Sequence, residues 1–115
     1  MNKSFTSITQ TISKTLLSYR KDVLEPMKGF DLMAKSAMSE GVLSTLQKEL
    51  IATAIAVSTR CDGCIGFHVR ALVRLKATRE HINEMLAVAV YMGGGPSLMY
   101  AAEVLQAYDE FLSEN

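Results

Sequence analysis

The stretch that decides the fold is STLQKELIATAIAVSTRCDGCIGFHVRALVRLK, residues 44–76. Ser44, with Gln47 three positions later, forms a capping-box signature, which predicts the start of a helix. A second helix is predicted to begin at Cys61 or Asp62, with the Asp62 carboxylate capping its first turn. If these two helices form an antiparallel hairpin, residues far apart in sequence come together on its inner faces.

The same helical periodicity extends outward in both directions. Apolar residues recur three and four positions apart and strict alternation is nowhere sustained, which indicates helices rather than strands. The sequence therefore predicts an all-α fold, a bundle of about six helices that forms a single domain over residues 1–115. The predicted helices run from Phe5 to near Pro26, from about Lys28 to Met38, from Ser44 to about Ser58, from Cys61 or Asp62 to about Lys76, from Thr78 to about Met92, and from Pro96 onward.

Composition excludes several classes of function. The 115 residues carry 12 Lys and Arg against 12 Asp and Glu, and 49% of them are hydrophobic. A chain without net positive charge lacks the field that holds nucleic acid, so no nucleic-acid partner is expected. No stretch approaches the roughly 20 apolar residues of a membrane span, and residues 1–17 do not resemble a signal peptide. We therefore expect a cytoplasmic protein without a membrane partner.

Charge and apolar residues are unevenly distributed toward the C-terminus. After Arg79 the chain contains Asp and Glu but no Lys or Arg, which predicts a solvated acidic face. The Met- and Ala-rich segment from Met85 to Met99 suits burial against a partner subunit. We therefore expect a homo-oligomer.

The segment Cys61-Asp-Gly-Cys64-Ile-Gly-Phe-His68 places three reactive side chains at i, i+3 and i+7. At about 100° per residue they fall within an arc of roughly 60° on one helix face. Two thiols three residues apart at a helix start can form a disulfide with little backbone movement. These residues are the candidate redox site.

A thiol with an ordinary pKa of about 8.5 needs activation at neutral pH. The helix N-terminus and Arg60 supply positive charge, and His68, one turn beyond Cys64, has the spacing of a base. In a hairpin, Glu49 would lie roughly 15 Å back from the turn and His68 about 10 Å beyond it, so that the two can meet. A carboxylate beside an imidazole makes a proton relay.

Each of these residues also has an ordinary explanation. The cysteines could be structural thiols, His68 a core or surface residue, and Glu49 a helix-surface carboxylate. Two further hypotheses remain open. In the first, Cys61, Cys64 and His68 bind zinc, although no second CxxC or HxxxH completes such a site. In the second, the chain is a non-enzymatic assembly module whose cysteines sense oxidation.

The joint spacing of Glu49, Cys61, Cys64 and His68 resembles the signature of the AhpD-like branch of the carboxymuconolactone decarboxylase family. The resemblance extends over about Leu43 to Phe111. It includes Leu72-Val-Arg-Leu-Lys-Ala-Thr78 with Glu80, and Ala87-Val-Ala-Val-Tyr-Met-Gly-Gly-Gly-Pro96.

The resemblance implies an all-helical antioxidant enzyme, a thiol-dependent alkylhydroperoxidase or disulfide reductase, with no cofactor and no bound metal. Glu49 and His68 would form the relay, and Cys61 and Cys64 the redox couple. One departure concerns Gly63, where the best-known members carry histidine. Plain decarboxylases of the family lack the cysteine pair, which argues against lactone decarboxylation.

The substrate class implied is a hydroperoxide or a disulfide. We expect Cys64 to meet peroxide and Cys61 to resolve the product, although the helix-start position favours Cys61 as the more acidic thiol. The resemblance further implies a dithiol reductant, such as a lipoyl-bearing protein that also serves a peroxiredoxin. It also implies assembly as a trimer or a hexamer.

Overall fold

The computed structural model describes residues 3–114, which form six α-helices and no strand. The predicted all-α fold is therefore confirmed. Met1, Asn2 and Asn115, which the predicted domain also includes, lie outside the described residues. None of these six helices has the length and apolar character that crossing a membrane requires. The helices are α1 (Phe5–Asp22), α2 (Leu24–Ala37), α3 (Thr45–Thr59), α4 (Asp62–Arg74), α5 (Arg79–Gly93) and α6 (Gly95–Ser113).

The main difference from the predicted helices concerns Pro26. The sequence predicts that the first helix stops near this proline, but α1 ends at Asp22 and Pro26 lies in the first turn of α2. Proline is tolerated there because the first amides of a helix have no carbonyl to bond to. The second helix consequently begins at Leu24 rather than near Lys28.

Helices α3 and α4 form the predicted hairpin, and their mutual contact is the most extensive in the fold. The capping box of α3 is present: the Gln47 amide donates to the Ser44 hydroxyl at 3.0 Å and the Ser44 amide donates to the Gln47 side chain at 2.8 Å. Arg60 ends α3 in the left-handed region with φ 57° and turns the chain directly into α4.

The core surrounds α4, which contacts α1, α3 and α6. Its side chains Ile65, Val69 and Leu72 are completely buried. Burying each such side chain contributes roughly 1.5–3 kcal/mol. The helix that begins at the cysteine pair is therefore the most firmly packed element near the candidate site.

Helix α1 is tied to α6 at its N-terminal end by Glu110. This carboxylate accepts hydrogen bonds from the Phe5 and Thr6 amides, at 2.8 and 3.2 Å, and from the Ser4 hydroxyl at 2.8 Å. Burial alone raises the pKa of Glu110, but these hydrogen bonds outweigh it and leave the pKa below its ordinary value. The link fixes α1 against the bundle.

Helix α2 differs from the other five because none of its residues is buried. Among the described residues its only helix contact is with α1. Leu24, Phe30, Leu32 and Met33 are all more than half exposed. The helix is amphipathic, yet the described part of the chain leaves most of its apolar residues exposed.

Candidate functional site

The two cysteines lie at the N-terminal end of α4 and are joined by a disulfide, as their spacing predicts. Their Cα atoms are 5.2 Å apart. Cys61 is the N-cap residue of α4, and its sulfur accepts a hydrogen bond from the Cys64 amide at 3.2 Å. Both sulfurs therefore lie at the positive end of the helix dipole, where negative charge on sulfur is stabilised.

Glu49 and His68 meet across the hairpin. His68 Nδ1 lies 2.6 Å from Glu49 Oε1, and the two side chains are 34% and 12% exposed. With the carboxylate ionised, Nδ1 is the donor, which leaves Nε2 as the nitrogen free to take a proton. The structure therefore brings these two predicted residues together as the hairpin argument requires.

Cys64 and His68 open into one cavity of about 240 Å³ between α3 and α4. Small and apolar side chains of α3 form the opposite wall, and Cys61 does not line the cavity. Cys64 and His68 therefore border the same small space. The cavity is lined by Ala52, Ile55, Ala56, Thr59, Cys64 and His68.

The prediction that Asp62 caps α4 is wrong. The cap is the sulfur of Cys61. Asp62 occupies the first helical position, whereas a capping side chain comes from the residue before it. Asp62 Oδ2 instead accepts a hydrogen bond from Lys3 Nζ at 2.8 Å. Its carboxylate therefore pairs with the segment that precedes α1.

The geometry gives no support to the zinc hypothesis. Both candidate thiolate ligands are bonded to each other. Across residues 3–114, no three His, Cys, Asp or Glu side chains lie close enough together to hold a metal ion. The donor set that zinc requires is therefore not assembled in this oxidised state.

The acidic face predicted after Arg79 is only partly solvated. Glu103 pairs with Lys3 at 2.7 Å, Asp109 pairs with Arg79, and Glu110 caps α1. Side chains from other elements reach these carboxylates, which a count of charges along the chain cannot reveal.

Lys3 and Ile12 lie against the first turn of α4, and the sequence predicts neither of these contacts. A Cβ atom on Gly63 would lie 2.7 Å from Ile12 Cδ1. Glycines at 63 and 66, three apart on a helix, are a signal of close approach by another backbone and could have indicated a neighbouring helix. Nothing in the sequence indicates the ion pair of Lys3 with Asp62.

The fold and the site together define an all-helical protein with a disulfide at the N-terminus of one helix, whose histidine pairs with a carboxylate of the neighbouring helix. The chain belongs to the carboxymuconolactone decarboxylase family, whose family model matches residues 25–107. The family predicted from the sequence is thereby confirmed. The match begins before Leu43, where the resemblance seen in the sequence starts.

The chain is also similar to individual proteins. The crystal structure of an apo carboxymuconolactone decarboxylase family protein from Legionella pneumophila is similar, with 54% identity and a TM-score of 0.92 over 94% of this chain and 96% of that one. An uncharacterised protein of Cupriavidus necator is 45% identical over 72% of this chain and 74% of its own length. An uncharacterised protein of the cox locus of Paracoccus denitrificans is 37% identical over 70% and 73%.

Proposed function

We propose that the protein is a thiol-dependent antioxidant oxidoreductase of the AhpD-like type, an alkylhydroperoxidase or disulfide reductase. The observation that carries the proposal is the 2.6 Å contact between His68 Nδ1 and Glu49 Oε1, with His68 and Cys64 lining one cavity. An acid-oriented imidazole beside a thiol is the arrangement that activates a sulfur nucleophile.

In the first step, His68 Nε2 takes the proton of the Cys64 thiol. The Cys64 thiolate attacks the outer oxygen of a hydroperoxide, the O–O bond breaks, and the departing alkoxide receives the proton held by His68. The products are an alcohol and a sulfenic acid on Cys64. Cys61 then attacks the Cys64 sulfur as a thiolate, and the hydroxide that leaves combines with the Cys61 proton to form water. The two sulfurs end as a disulfide.

An external dithiol resets the pair. One of its sulfurs, as a thiolate, attacks Cys61, and the disulfide breaks with Cys64 leaving as a thiolate beside His68. The second thiol of the reductant then displaces Cys61 from the mixed disulfide and becomes oxidised itself. The family resemblance favours a lipoyl-bearing protein as this dithiol, with a peroxiredoxin as a further client. A pair that must return to the dithiol suits the reducing cytoplasm.

The two sulfurs have different surroundings, which supports the division of labour. The Cys64 amide donates to Cys61 Sγ, so Cys61 is held at the helix start, whereas Cys64 lies in the cavity with His68. A hydroperoxide in this cavity reaches Cys64 first. We therefore assign attack on peroxide to Cys64 and resolution to Cys61.

The proposal is tested by following the consumption of an alkyl hydroperoxide with dihydrolipoamide as the reductant. Cys64→Ser should abolish turnover, and His68→Gln should lower the rate about 100-fold because the general base is lost. Glu49→Gln should lower it roughly tenfold, since the tautomer of His68 is no longer fixed.

Two matched controls keep this test specific. His81 is exposed on α5 and bonds only locally, to Thr78, so His81→Gln should retain full turnover. Glu84→Gln, also at an exposed position of α5, plays the same role for Glu49→Gln. Equal peroxide consumption by wild type and Cys64→Ser would refute the proposal.

We further propose that the protein assembles with copies of itself, as a trimer or a hexamer. The chain exposes a second apolar region where α5 meets α6, with Tyr91 84%, Met92 76% and Met99 62% exposed. A cavity of about 360 Å³ between α3 and α5 includes Met92 and also Ile55, which lines the candidate site. Light scattering across a range of protein concentrations tests this assembly, and a monomer at every concentration would contradict it.

A non-enzymatic redox sensor is the alternative that these exposed apolar regions favour. In that case the disulfide would change the assembly without turnover. Light scattering of the oxidised and the reduced protein, together with the peroxidase assay, separates the two functions. A sensor would change its assembly with oxidation state and show no turnover. Steady turnover with dihydrolipoamide would eliminate the sensor hypothesis.

A further inference from the structure

Three charged side chains meet beside the cysteine pair, outside the Glu49–His68 relay. Lys3 Nζ lies 2.8 Å from Asp62 Oδ2 and 2.7 Å from Glu103 Oε1. About two thirds of the Lys3 and Asp62 side chains are shielded from solvent, and Glu103 is only 22% exposed. Asp62 follows Cys61 directly in the chain, so this cluster is connected to the redox turn.

The close approach of α1 to α4 brings Lys3 to this place. Gly63 and Gly66 present bare backbone to α1, where Cβ atoms would lie 2.7 Å from Ile12 Cδ1 and 2.6 Å from Thr9 Cγ2. Thr9 is 1% exposed, so this contact is closed to solvent. The space beside Gly63 is therefore filled by α1.

One oxygen of the Asp62 carboxylate, Oδ1, is buried and has no hydrogen-bond partner within residues 3–114. A buried carboxylate oxygen without a donor destabilises a structure. The compensating positive charge comes from Lys3, whose ammonium also lies 5.9 Å from the centre of the Tyr100 ring. The pKa of Lys3 is raised above its ordinary value, mainly by the hydrogen bond to Asp62 and next by the hydrogen bond to Glu103. Lys3 therefore stays charged.

We propose that Lys3 is a positioning residue of the redox pair: by neutralising Asp62, it sets the negative charge that Cys61 and Cys64 face and so tunes the dithiol–disulfide equilibrium. This role rests on the proposed function, in which the pair cycles between the two states. It deepens that function by extending the site to the segment before α1. Lys3 touches neither sulfur nor substrate in this role and acts through Asp62.

The sign of the effect follows from the surrounding charges. The charged or titratable groups around the pair are Arg60 at the end of α3, Glu49 of α3, His68 and Asp62 of α4, Glu103 of α6, and Lys3. Loss of the Lys3 charge leaves Asp62 and Glu103 uncompensated. A neighbouring negative charge disfavours the thiolate, so the thiol pKa rises and the disulfide becomes harder to reduce.

Removing the Asp62 charge should act in the opposite direction. Asp62→Asn lowers the thiol pKa and makes the disulfide easier to reduce, because reduction then generates a better stabilised thiolate. Asp62 is the residue next to Cys61 in the chain, and one unit charge that is partly screened by solvent changes such equilibria roughly threefold. If the Lys3–Asp62 ion pair only held the fold together, losing either residue should shift the thiol pKa and the disulfide equilibrium in the same direction. Opposite shifts would not be expected.

The experiment uses the full chain as wild type, Lys3→Met, Lys3→Arg, Asp62→Asn and the double variant. Each is equilibrated with reduced and oxidised dithiothreitol, and each cysteine is alkylated across pH and mapped by mass spectrometry. Lys3→Met should stabilise the disulfide about threefold and raise the midpoint of alkylation, and Asp62→Asn should shift both the other way. Lys3→Arg should restore wild-type values, and in the Asp62→Asn background Lys3→Met should have a smaller effect.

Lys28→Met is the matched control. Lys28 lies on α2, which contacts only α1 among the described helices, and it pairs with Glu25 at 3.4 Å. Its side chain is 66% exposed, so solvent and salt screen its charge and neither readout should change.

The outcomes separate the two proposals. A wild-type pair that cannot be reduced and reoxidised overturns the proposed function and the role of Lys3 with it. A pair that cycles normally, while Lys3→Met leaves both readouts unchanged or shifts them in the same direction as Asp62→Asn, overturns the role of Lys3 alone.

Discussion

Helices α4 and α2 are nearly equal in length and both are amphipathic, yet their surroundings are opposite. Helix α4, Asp62–Arg74, buries Ile65, Gly66, Val69, Leu72 and Val73. Helix α2, Leu24–Ala37, buries no residue. The cysteine pair begins the first of these helices, and the second contacts only α1 among the described residues.

The difference shows that an apolar stripe predicts a helix but not what covers it. Helix α4 is covered within the chain by α1, α3 and α6, which fixes the geometry that a redox site requires. An isolated helix as short as α2 is marginal in water, and among the described helices only α1 contacts it. Residue pairs of the same type on the two helices allow this contrast to be tested.

The largest effect is expected from the same substitution in both helices. Leu72 is completely buried and Leu32 is 69% exposed. Leu72→Ala should lower the free energy of unfolding by about 3 kcal/mol, since it leaves a cavity in the core. Leu32→Ala should change it by less than about 0.5 kcal/mol in dilute protein.

Urea denaturation at two protein concentrations measures both leucine variants. If Leu32→Ala is destabilising only at the higher concentration, α2 is covered by another copy of the chain. Equal losses for the two variants in dilute protein would contradict the contrast between the helices.

Replacing one glycine by alanine in each helix should change stability by an intermediate amount, with opposite signs in the two helices. Gly66 is buried, and a Cβ there would lie 2.6 Å from Thr9 Cγ2 and 3.6 Å from the Phe5 carbonyl oxygen. Gly66→Ala should therefore destabilise the protein by about 2 kcal/mol as α1 is pushed away. Gly29 has nothing within 4 Å of a Cβ, so Gly29→Ala should stabilise by roughly 0.5–1 kcal/mol.

Thermal melts followed by circular dichroism compare the two glycine variants. Any stabilisation by Gly66→Ala would mean that α1 does not approach α4 closely. The two variants therefore test the packing that places Lys3 beside Asp62.

The smallest effect on stability is expected at Glu110, whose hydrogen bonds hold the start of α1 against α6. Helix α2 lacks a link of this kind. Because the folded-state pKa of Glu110 is lowered, its contribution to stability is present above the ordinary carboxyl pKa and is lost as pH falls through the folded value. Glu110→Gln should lower the free energy of unfolding at pH 7 by about 1 kcal/mol, a typical loss for an N-terminal cap.

The same glutamine variant should approach the wild type in stability as pH falls below the ordinary carboxyl range. Denaturation midpoints between pH 7 and pH 3 give this comparison. A difference that stays constant over the whole range would show that the Glu110 charge plays no part in holding α1.

Much of the fold and the core of the candidate site could be predicted from the sequence. The capping box at Ser44 and the short link after α3 determine where the hairpin starts and turns. Helix geometry then suffices to bring Glu49 to His68, because both lie within a few turns of the same link. Capping motifs, short links and helix geometry depend on residues that are close together in the sequence. They can therefore be recognised from the sequence alone.

Contacts between distant elements could not be predicted in this way. The spacing of three and four residues predicts one common face of α6, but Leu98 is 52% exposed and Ala102 is also exposed. The residues with this spacing are Leu98, Ala101, Ala102, Leu105 and Tyr108. The rotation of α6 depends on α4 and α5, which its own periodicity does not specify. The pairing of Lys3 with Asp62, 59 positions apart, depends likewise on how α1 packs.

The sulfur of Cys61 both caps a helix and takes part in the disulfide, and this has a spectroscopic consequence. The Cys64 amide proton points at that sulfur, so its chemical shift and its exchange with deuterium should respond when the sulfur changes oxidation state. A single backbone resonance could then report the redox state of the protein in solution, without any added dye or label.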